Sequence, residues 1–171
     1  SPEYVVAACR ASLERLQVDH VDLYQVHRPD LLAHPADLAA ALTALVGEGL
    51  VKEVGVSNFT PAQTRALAAH LKAPLVSTQP EFSVLALNPL FDGTLDLAME
   101  MGQAVLGWSP LGQGRLGDGD PRPGRKKSED ERLIRVKAAL AAHGQKFGVS
   151  IAATAYAWVL AHPAGITPIV G

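Results

Sequence analysis

Val18-Asp-His-Val-Asp-Leu-Tyr-Gln-Val-His27 is an apolar-alternating run closed by Pro29 and Asp30. It reads as a β-strand, with Val21, Leu23, Gln25 and His27 on one side. Upstream, Ser1 is an N-cap and Pro2 occupies the first helical position, where proline fits best. Val5, Val6, Cys9, Leu13 and Leu16 then recur at three- and four-residue spacing, the stripe of an amphipathic helix. Downstream, residues 37–50 read as a second helix, with Leu38, Ala41, Leu42 and Leu45 on one face and Gly47 and Gly49 at its end.

The same alternation continues to the end of the chain. Residues 51–57 are strand-like, and Thr60 caps a helix over 61–71 with Pro61 at its start. Residues 75–79 form a short strand stopped by Pro80, a helix follows over about 90–101, and 104–109 is the next strand. Helices over 131–144 and 150–162 precede a last strand at 166–170. Residues 117–130 have almost no apolar content and are expected to be a mobile surface loop.

Short apolar strands that alternate with helices imply parallel pairing and an α/β fold. A doubly wound sheet and a barrel both satisfy that pattern. The polar residues separate them, because they collect where successive strands end: His27, Ser57 and Asn58, Gln79 and Glu81, Trp108 and Ser109. In a (β/α)8 barrel those C-terminal ends form one mouth that carries the chemistry, whereas a doubly wound sheet gathers its ligand groups at one switch point. The barrel is the expected architecture. Its usual length of about 250 residues exceeds the 171 present, so the expectation is one incomplete barrel domain of five strands.

Composition bounds the function. The chain is 48% hydrophobic, with 15 Lys+Arg against 17 Asp+Glu and a formal net charge of −2, and no basic stripe marks a nucleic-acid surface. A single cysteine, Cys9, excludes an internal disulfide. No stretch reaches the roughly 18 apolar residues of a membrane helix, and no signal peptide is expected, so a cytoplasmic protein is the default.

Gly112-Gln-Gly114-Arg-Leu-Gly117 matches the dinucleotide fingerprint letter for letter. That fingerprint requires a helix N-terminus immediately after it, and Asp118-Gly-Asp-Pro-Arg-Pro cannot start one on schedule. The turn is read as a flexible strand-to-loop connection. His20, His27 and His34 lie seven apart but straddle a strand, a turn and a proline-containing segment, which does not make a metal site. His27 has two readings: a neutral imidazole donating a hydrogen bond to a carbonyl oxygen, or a structural histidine held by backbone. Ser57, Asn58 and Gln79 both donate and accept, as an amide-bearing ligand requires, and Trp108 offers a flat face for a ring. Ordinary turn chemistry and core packing are the alternatives for each residue alone.

Asp22-Leu-Tyr-Gln-Val-His27-Arg-Pro-Asp30, Gly55-Val-Ser-Asn-Phe59, Trp108-Ser-Pro-Leu-Gly-Gln-Gly114 and Pro168-Ile-Val-Gly171 together resemble the aldo-keto reductase superfamily. Gly55-Val-Ser-Asn-Phe-Thr-Pro-Ala-Gln63 and Asp92-Gly-Thr-Leu-Asp96 are most similar to its YdhF-type bacterial branch. The resemblance implies a metal-free, NADPH-dependent reduction of aldehydes or ketones to alcohols, with NADH left open. It makes His27 the histidine that orients the substrate carbonyl. Ser57, Asn58 and Gln79 become ligands of the nicotinamide carboxamide, Trp108 the ring beneath the nicotinamide, and Ser109, Leu111, Gly112 and Gly114 part of the segment beside the pyrophosphate.

The family's proton-donating Tyr and its Lys and Asp partners belong to segments before the strand of His27, and this sequence has no substitute for them. Tyr4 falls in the opening helix, Tyr24 has the opposite strand parity to His27, and Tyr156 falls in a late helix. The chain alone is therefore expected to be inactive. Its end strands would expose unpaired edges, which self-association or another chain could complete. A non-catalytic half-barrel that binds a nucleotide or a partner is the competing reading.

Overall fold

The computed structural model describes residues 1–118 and 131–170. The elements run α1 (Pro2–Leu16), β1 (Val21–Val26), α2 (Pro35–Gly47), β2 (Val51–Ser57), α3 (Pro61–Ala68), β3 (Leu75–Gln79), α4 (Asn88–Phe91), α5 (Thr94–Met101), β4 (Ala104–Gly107), α6 (Glu131–Gln145), α7 (Ile151–Leu160) and β5 (Thr167–Pro168). Contacts divide them into two compact units, one of Ser1–Gln79 with Asp96–Ala104, the other of Pro80–Leu95 with the chain from Val105 onward.

Capping explains where the first unit's helices begin. Ser1 accepts a hydrogen bond from the Tyr4 amide ahead of Pro2. Thr60 and Gln63 form a reciprocal capping box with Pro61 at the first helical position. Helix α2 starts at Pro35, two residues before the expected 37, because His34 Nδ1 accepts from the Ala36 amide at 3.2 Å. A histidine in that capping role gives no composition signal. Helix α3 ends at Ala68, short of the expected 71.

β1, β2 and β3 are consecutive parallel neighbours. One face of this sheet is buried under α1, α2 and α3 by Cys9, Leu13, Leu42, Leu45, Val54 and Val56, with Tyr24 and Val26 packed against them. Burial of that apolar surface, at about 25 cal/mol per Å2, is the main stabilising contribution. The register then shifts by one residue: Val54 pairs with Leu75, but Gly55 pairs with Ser77. The extra residue in β3 is a bulge, which lets Leu75 enter the helix-side core while Ser77 turns to the opposite face beside Gly55.

In the second unit, β4 and β5 pair in parallel through Leu106–Thr167 and Gly107–Pro168. Leu116, Leu133, Leu140 and Ala155 form a core beneath α6 and α7. Phe82 is fully buried and stacks on Trp158 at 5.2 Å. Ser150 caps α7, and Asp118 joins that cap by accepting from Ser150 Oγ at 2.6 Å and from the Ala152 amide at 3.3 Å.

Three expectations change. The helix expected over about 90–101 is two, α4 and α5, broken where Gly93 takes φ +85° and Asp92 accepts from the Thr94 amide. The last strand is two residues rather than the five of 166–170, and β4 stops at Gly107 rather than 109. A strand is defined by a paired neighbour, which apolar composition alone does not supply. The polar stretch 117–130 lies outside the described residues from 119 onward.

Candidate functional site

The first unit brings four of the expected residues together at the C-terminal ends of its three strands. Ser57 closes β2, is 2% exposed, and donates from Oγ to the Gln79 carbonyl at 2.7 Å. Asn58 follows in the left-handed region at φ +59°, which asparagine tolerates better than most residues. Its amide nitrogen donates to the His27 carbonyl and to Ser57 Oγ, each at 3.0 Å, and its backbone N–H donates to the Gln79 carbonyl at 3.2 Å. Asn58 thus ties the end of β1 to the end of β2, and Ser57 ties β2 to β3.

His27 lies one residue past β1 and is exposed. Among the described residues no hydrogen bond holds its ring; only its carbonyl is engaged, by Asn58.

Behind this row Gln79 joins a second, with Gln25 and Ser77, neither of which the sequence reading named as a site residue. Gln25 Nε2 donates to Ser77 Oγ at 3.0 Å, and Gln79 Nε2 donates to Gln25 Oε1 at 2.9 Å. Ser77 is 1% exposed, while Gln25 and Gln79 are half-buried. Gly55 makes these contacts possible: a Cβ there would lie 2.0 Å from Ser77 Oγ and 3.0 Å from the Ser77 carbonyl. The shared parity of Gln25 and His27 was the available signal. The bulge that turns Ser77 and Gln79 to the same side left none.

Electrostatics at this sheet is modest. Lys52 Nζ lies 2.6 Å from Asp22 Oδ1 on the exposed part of β1 and β2, and that hydrogen bond holds the Asp22 carboxyl below the usual range. Burial raises the Tyr24 hydroxyl and the Cys9 thiol on the helix-covered face. His20, His27 and His34 form no metal-ligand group; among the described residues no cluster of three or more His, Cys, Asp or Glu does.

The second unit holds the remaining expected residues. Trp108 bridges to Glu81, its N–H donating to the Pro80 carbonyl at 3.0 Å and its carbonyl accepting from the Phe82 amide at 3.1 Å. The indole is half-buried. Ser109, at φ +53°, begins a tight turn in which the Gly112 amide donates to its carbonyl at 2.8 Å. Leu111 packs against the unit's core, and its carbonyl accepts from the Leu116 amide at 3.1 Å. Gly112 has φ +57°, which favours glycine, and a Cβ there would meet the tip of Leu85, Cδ1, at 2.7 Å. At Gly114, φ +86°, an added Cβ would meet no atom within 4 Å among the described residues. Residues 112–117 are turn and coil, and the residues that follow from 119 onward, on which the fingerprint reading depends, lie outside the described residues.

These features define a parallel α/β protein with its polar side chains gathered just past the ends of its strands. The Aldo/keto reductase family profile matches residues 1–171, and the chain belongs to that family. It is 46% identical over 171 residues to a 6-dehydroglucose reductase of Novosphingobium aromaticivorans, covering 100% of this chain and 53% of that protein. It is 36% identical over 170 residues to the oxidoreductase YdhF of Escherichia coli, covering 99% of this chain and 53% of that one. Among solved structures, the glycerol dehydrogenase AKR11B4 of Gluconobacter oxydans superposes with a TM-score of 0.85 at 26% identity, over 99% of this chain and 54% of its own. The chain spans about half the length of the curated relatives it matches. Its fold is the aldo-keto reductase barrel type, incomplete, with five parallel strands. Among the described residues no helix is long and apolar enough to cross a membrane.

Proposed function

We propose that this chain carries the nicotinamide-binding side of an NADPH-dependent carbonyl reductase. The observation that supports this reading is the hydrogen-bonded row of Ser57, Asn58 and Gln79 at the ends of adjacent strands, in a chain of this family. A nicotinamide carboxamide presents one acceptor and two N–H donors; the Ser57 hydroxyl and the Asn58 and Gln79 amides carry both kinds of group, and a ligand would exchange with the internal bonds that the Ser57 and Asn58 hydrogens make here. The residues present therefore fit the group. When bound, the cofactor supplies hydride to a carbonyl carbon.

In this reading His27 orients the substrate by donating a hydrogen bond to its carbonyl oxygen. Trp108, Ser109, Leu111, Gly112 and Gly114, in the second unit, remain candidates for the same cofactor on the family resemblance alone. A proton must also reach the reduced oxygen. Tyr24 packs on the helix-covered face, Tyr4 is 73% exposed on α1, and Tyr156 lies on α7. None shares the strand-end position of His27, so the chain by itself is expected to bind without turnover. The family's Tyr, Lys and Asp would come from segments this sequence does not hold, whether in a longer protein or another chain. The small carbonyl substrate to assay first is 6-dehydroglucose, named in the 46%-identical relative.

The test is a fluorescence titration of the chain with NADPH and with NADH. Asn58→Ala and Gln79→Ala should each weaken NADPH binding about five- to tenfold, the loss of roughly one hydrogen bond. Unchanged affinity in both variants overturns the assignment. Reduction of 6-dehydroglucose by the purified chain overturns the expectation that its own residues lack the proton donor.

A further inference from the structure

Gln25 is on β1 and Gln79 is on β3, yet their side chains are hydrogen-bonded across the intervening strand. β2 offers a glycine at the crossing point, Gly55, which pairs with Gln25 on one side and with Ser77 on the other. Three side chains therefore form one row, with Gln25 bonded to Ser77 Oγ at 3.0 Å and to Gln79 at 2.9 Å. Ser77 is 1% exposed, so its hydroxyl meets Gln25 rather than water. At the other end Gln79 is half-buried, and among the described residues only Gln25 bonds to its side chain.

Each group in this row can both donate and accept. Half a turn of an amide about its Cγ–Cδ bond exchanges nitrogen for oxygen and moves no other heavy atom. When both amides turn and the Ser77 hydroxyl swings round to donate, both hydrogen bonds survive with every donor and acceptor exchanged. In one sense Gln79 donates to Gln25, Gln25 donates to Ser77, and the Gln79 oxygen faces outward. In the other, Ser77 donates to Gln25, Gln25 donates to Gln79, and the Gln79 nitrogen faces outward. The neighbouring groups lack that freedom. Ser57 Oγ donates to the Gln79 main-chain carbonyl and Asn58 Nδ2 to the His27 carbonyl, and a carbonyl only accepts.

We propose that Ser77, Gln25 and Gln79 form a reversible relay whose open end, the Gln79 amide, presents an acceptor or a donor according to the ligand group that meets it. Ser77 and Gln25 are positioning residues that act through Gln79. The identity of the ligand rests on the cofactor reading above; the relay is a property of this chain alone. In that reading Gln79 serves the nicotinamide carboxamide in either rotamer and serves a carboxylate in its place equally well. Discrimination between the two groups then falls to Ser57 and Asn58.

The wild-type chain tests the reversal without any substitution. NOEs from the Gln25 side-chain amide protons to Ser77 Hβ mark one sense, and NOEs to the Gln79 side chain mark the other. Both sets are expected in the free chain, and one set alone overturns the proposal. Nicotinic acid adenine dinucleotide phosphate, the carboxylate counterpart of NADP, only accepts at that group, so its saturation should leave the Gln79 set alone. Gln25→Glu supplies acceptors at both ends, so Ser77 and Gln79 must both donate to it and the Gln79 oxygen is held outward. With its fold confirmed by circular dichroism and urea midpoint, this variant should bind the acid counterpart about tenfold more weakly, equivalent to roughly one hydrogen bond. Its affinity for NADP should stay within about threefold of wild type. Repeating the titrations in about 0.5 M KCl, where charges are screened beyond roughly 4 Å, separates the relay from the added charge. Equal losses for both dinucleotides, no loss for the acid counterpart, or a loss that vanishes in salt overturns the proposal. If Gln25→Glu does not fold, the wild-type NOEs decide. A wild-type chain that binds neither dinucleotide refutes the cofactor reading, and the NOEs of the free chain then decide the relay separately.

Discussion

Replacing Gly55 with alanine introduces one methyl group where three strands meet. The new Cβ would stand 2.0 Å from Ser77 Oγ, 3.0 Å from the Ser77 carbonyl and 3.2 Å from Gln25 Cγ. The Ser77 hydroxyl can rotate away, but only by giving up its hydrogen bond from Gln25, a loss of about 1 kcal/mol. The carbonyl is part of the β2–β3 ladder and cannot rotate, so the strands must spread slightly. Overpacking of this kind costs about 1–3 kcal/mol. The stiffer unfolded chain offsets about 0.4–1 kcal/mol. The expected net loss is about 2 kcal/mol. In urea unfolding, with a slope of about 2 kcal/mol per M, the midpoint should drop by about 1 M. Ser77→Ala in the Gly55→Ala background removes the 2.0 Å clash, so the double variant should be more stable than the sum of the singles by about 1 kcal/mol. A Gly55→Ala midpoint within about 0.2 M of wild type, or strict additivity in the double variant, would refute the close packing of these strands.

The other expectations test separate parts of the chain. Phe82→Ala removes a fully buried ring stacked on Trp158 and should cost about 3–5 kcal/mol by urea unfolding, with a change in Trp158 emission. Asp118→Ala and Ser150→Ala should each cost about 1 kcal/mol, and together less than the sum because both serve one helix cap. Burial raises both Cys9 and Tyr24, so the folded state keeps protons that the unfolded state releases. Stability should therefore be full below about pH 8.5, where the unfolded thiol begins to ionise, and fall as pH rises beyond it. Cys9→Ala and Tyr24→Phe should flatten that alkaline slope, measured by urea midpoints between pH 8 and 11; an unchanged slope would contradict the burial of both groups.

Much of the chain was legible in its sequence. Helix starts at Pro2 and Pro61 followed from cap-then-proline signals, because the residues that satisfy free amide groups at a helix end are local. β2 and β3 were legible as runs bounded by Asn58 and Pro80. Ser57, Asn58 and Gln79 could be named as candidates because polar groups at strand ends are conspicuous beside apolar strands. Less visible were the weak signals: a histidine acting as the cap of α2, the break between α4 and α5 at Gly93, and the shortness of β5. Each depends on a partner that is distant in sequence or on a backbone choice that several residues permit.

By itself, then, the sequence determined the alternation of strands and helices, the parallel class and the residues at the strand ends, all of which follow from short-range patterns of period 2 and 3.6. Only the tertiary structure decided which of those residues touch. One added residue in β3 turns Ser77 and Gln79 to the face of Gln25, and one missing side chain at Gly55 lets Gln25 cross a strand to reach them. Register between strands is a long-range property, fixed by packing against the helices on the other face, and a shift of one residue reverses which side chains share a site.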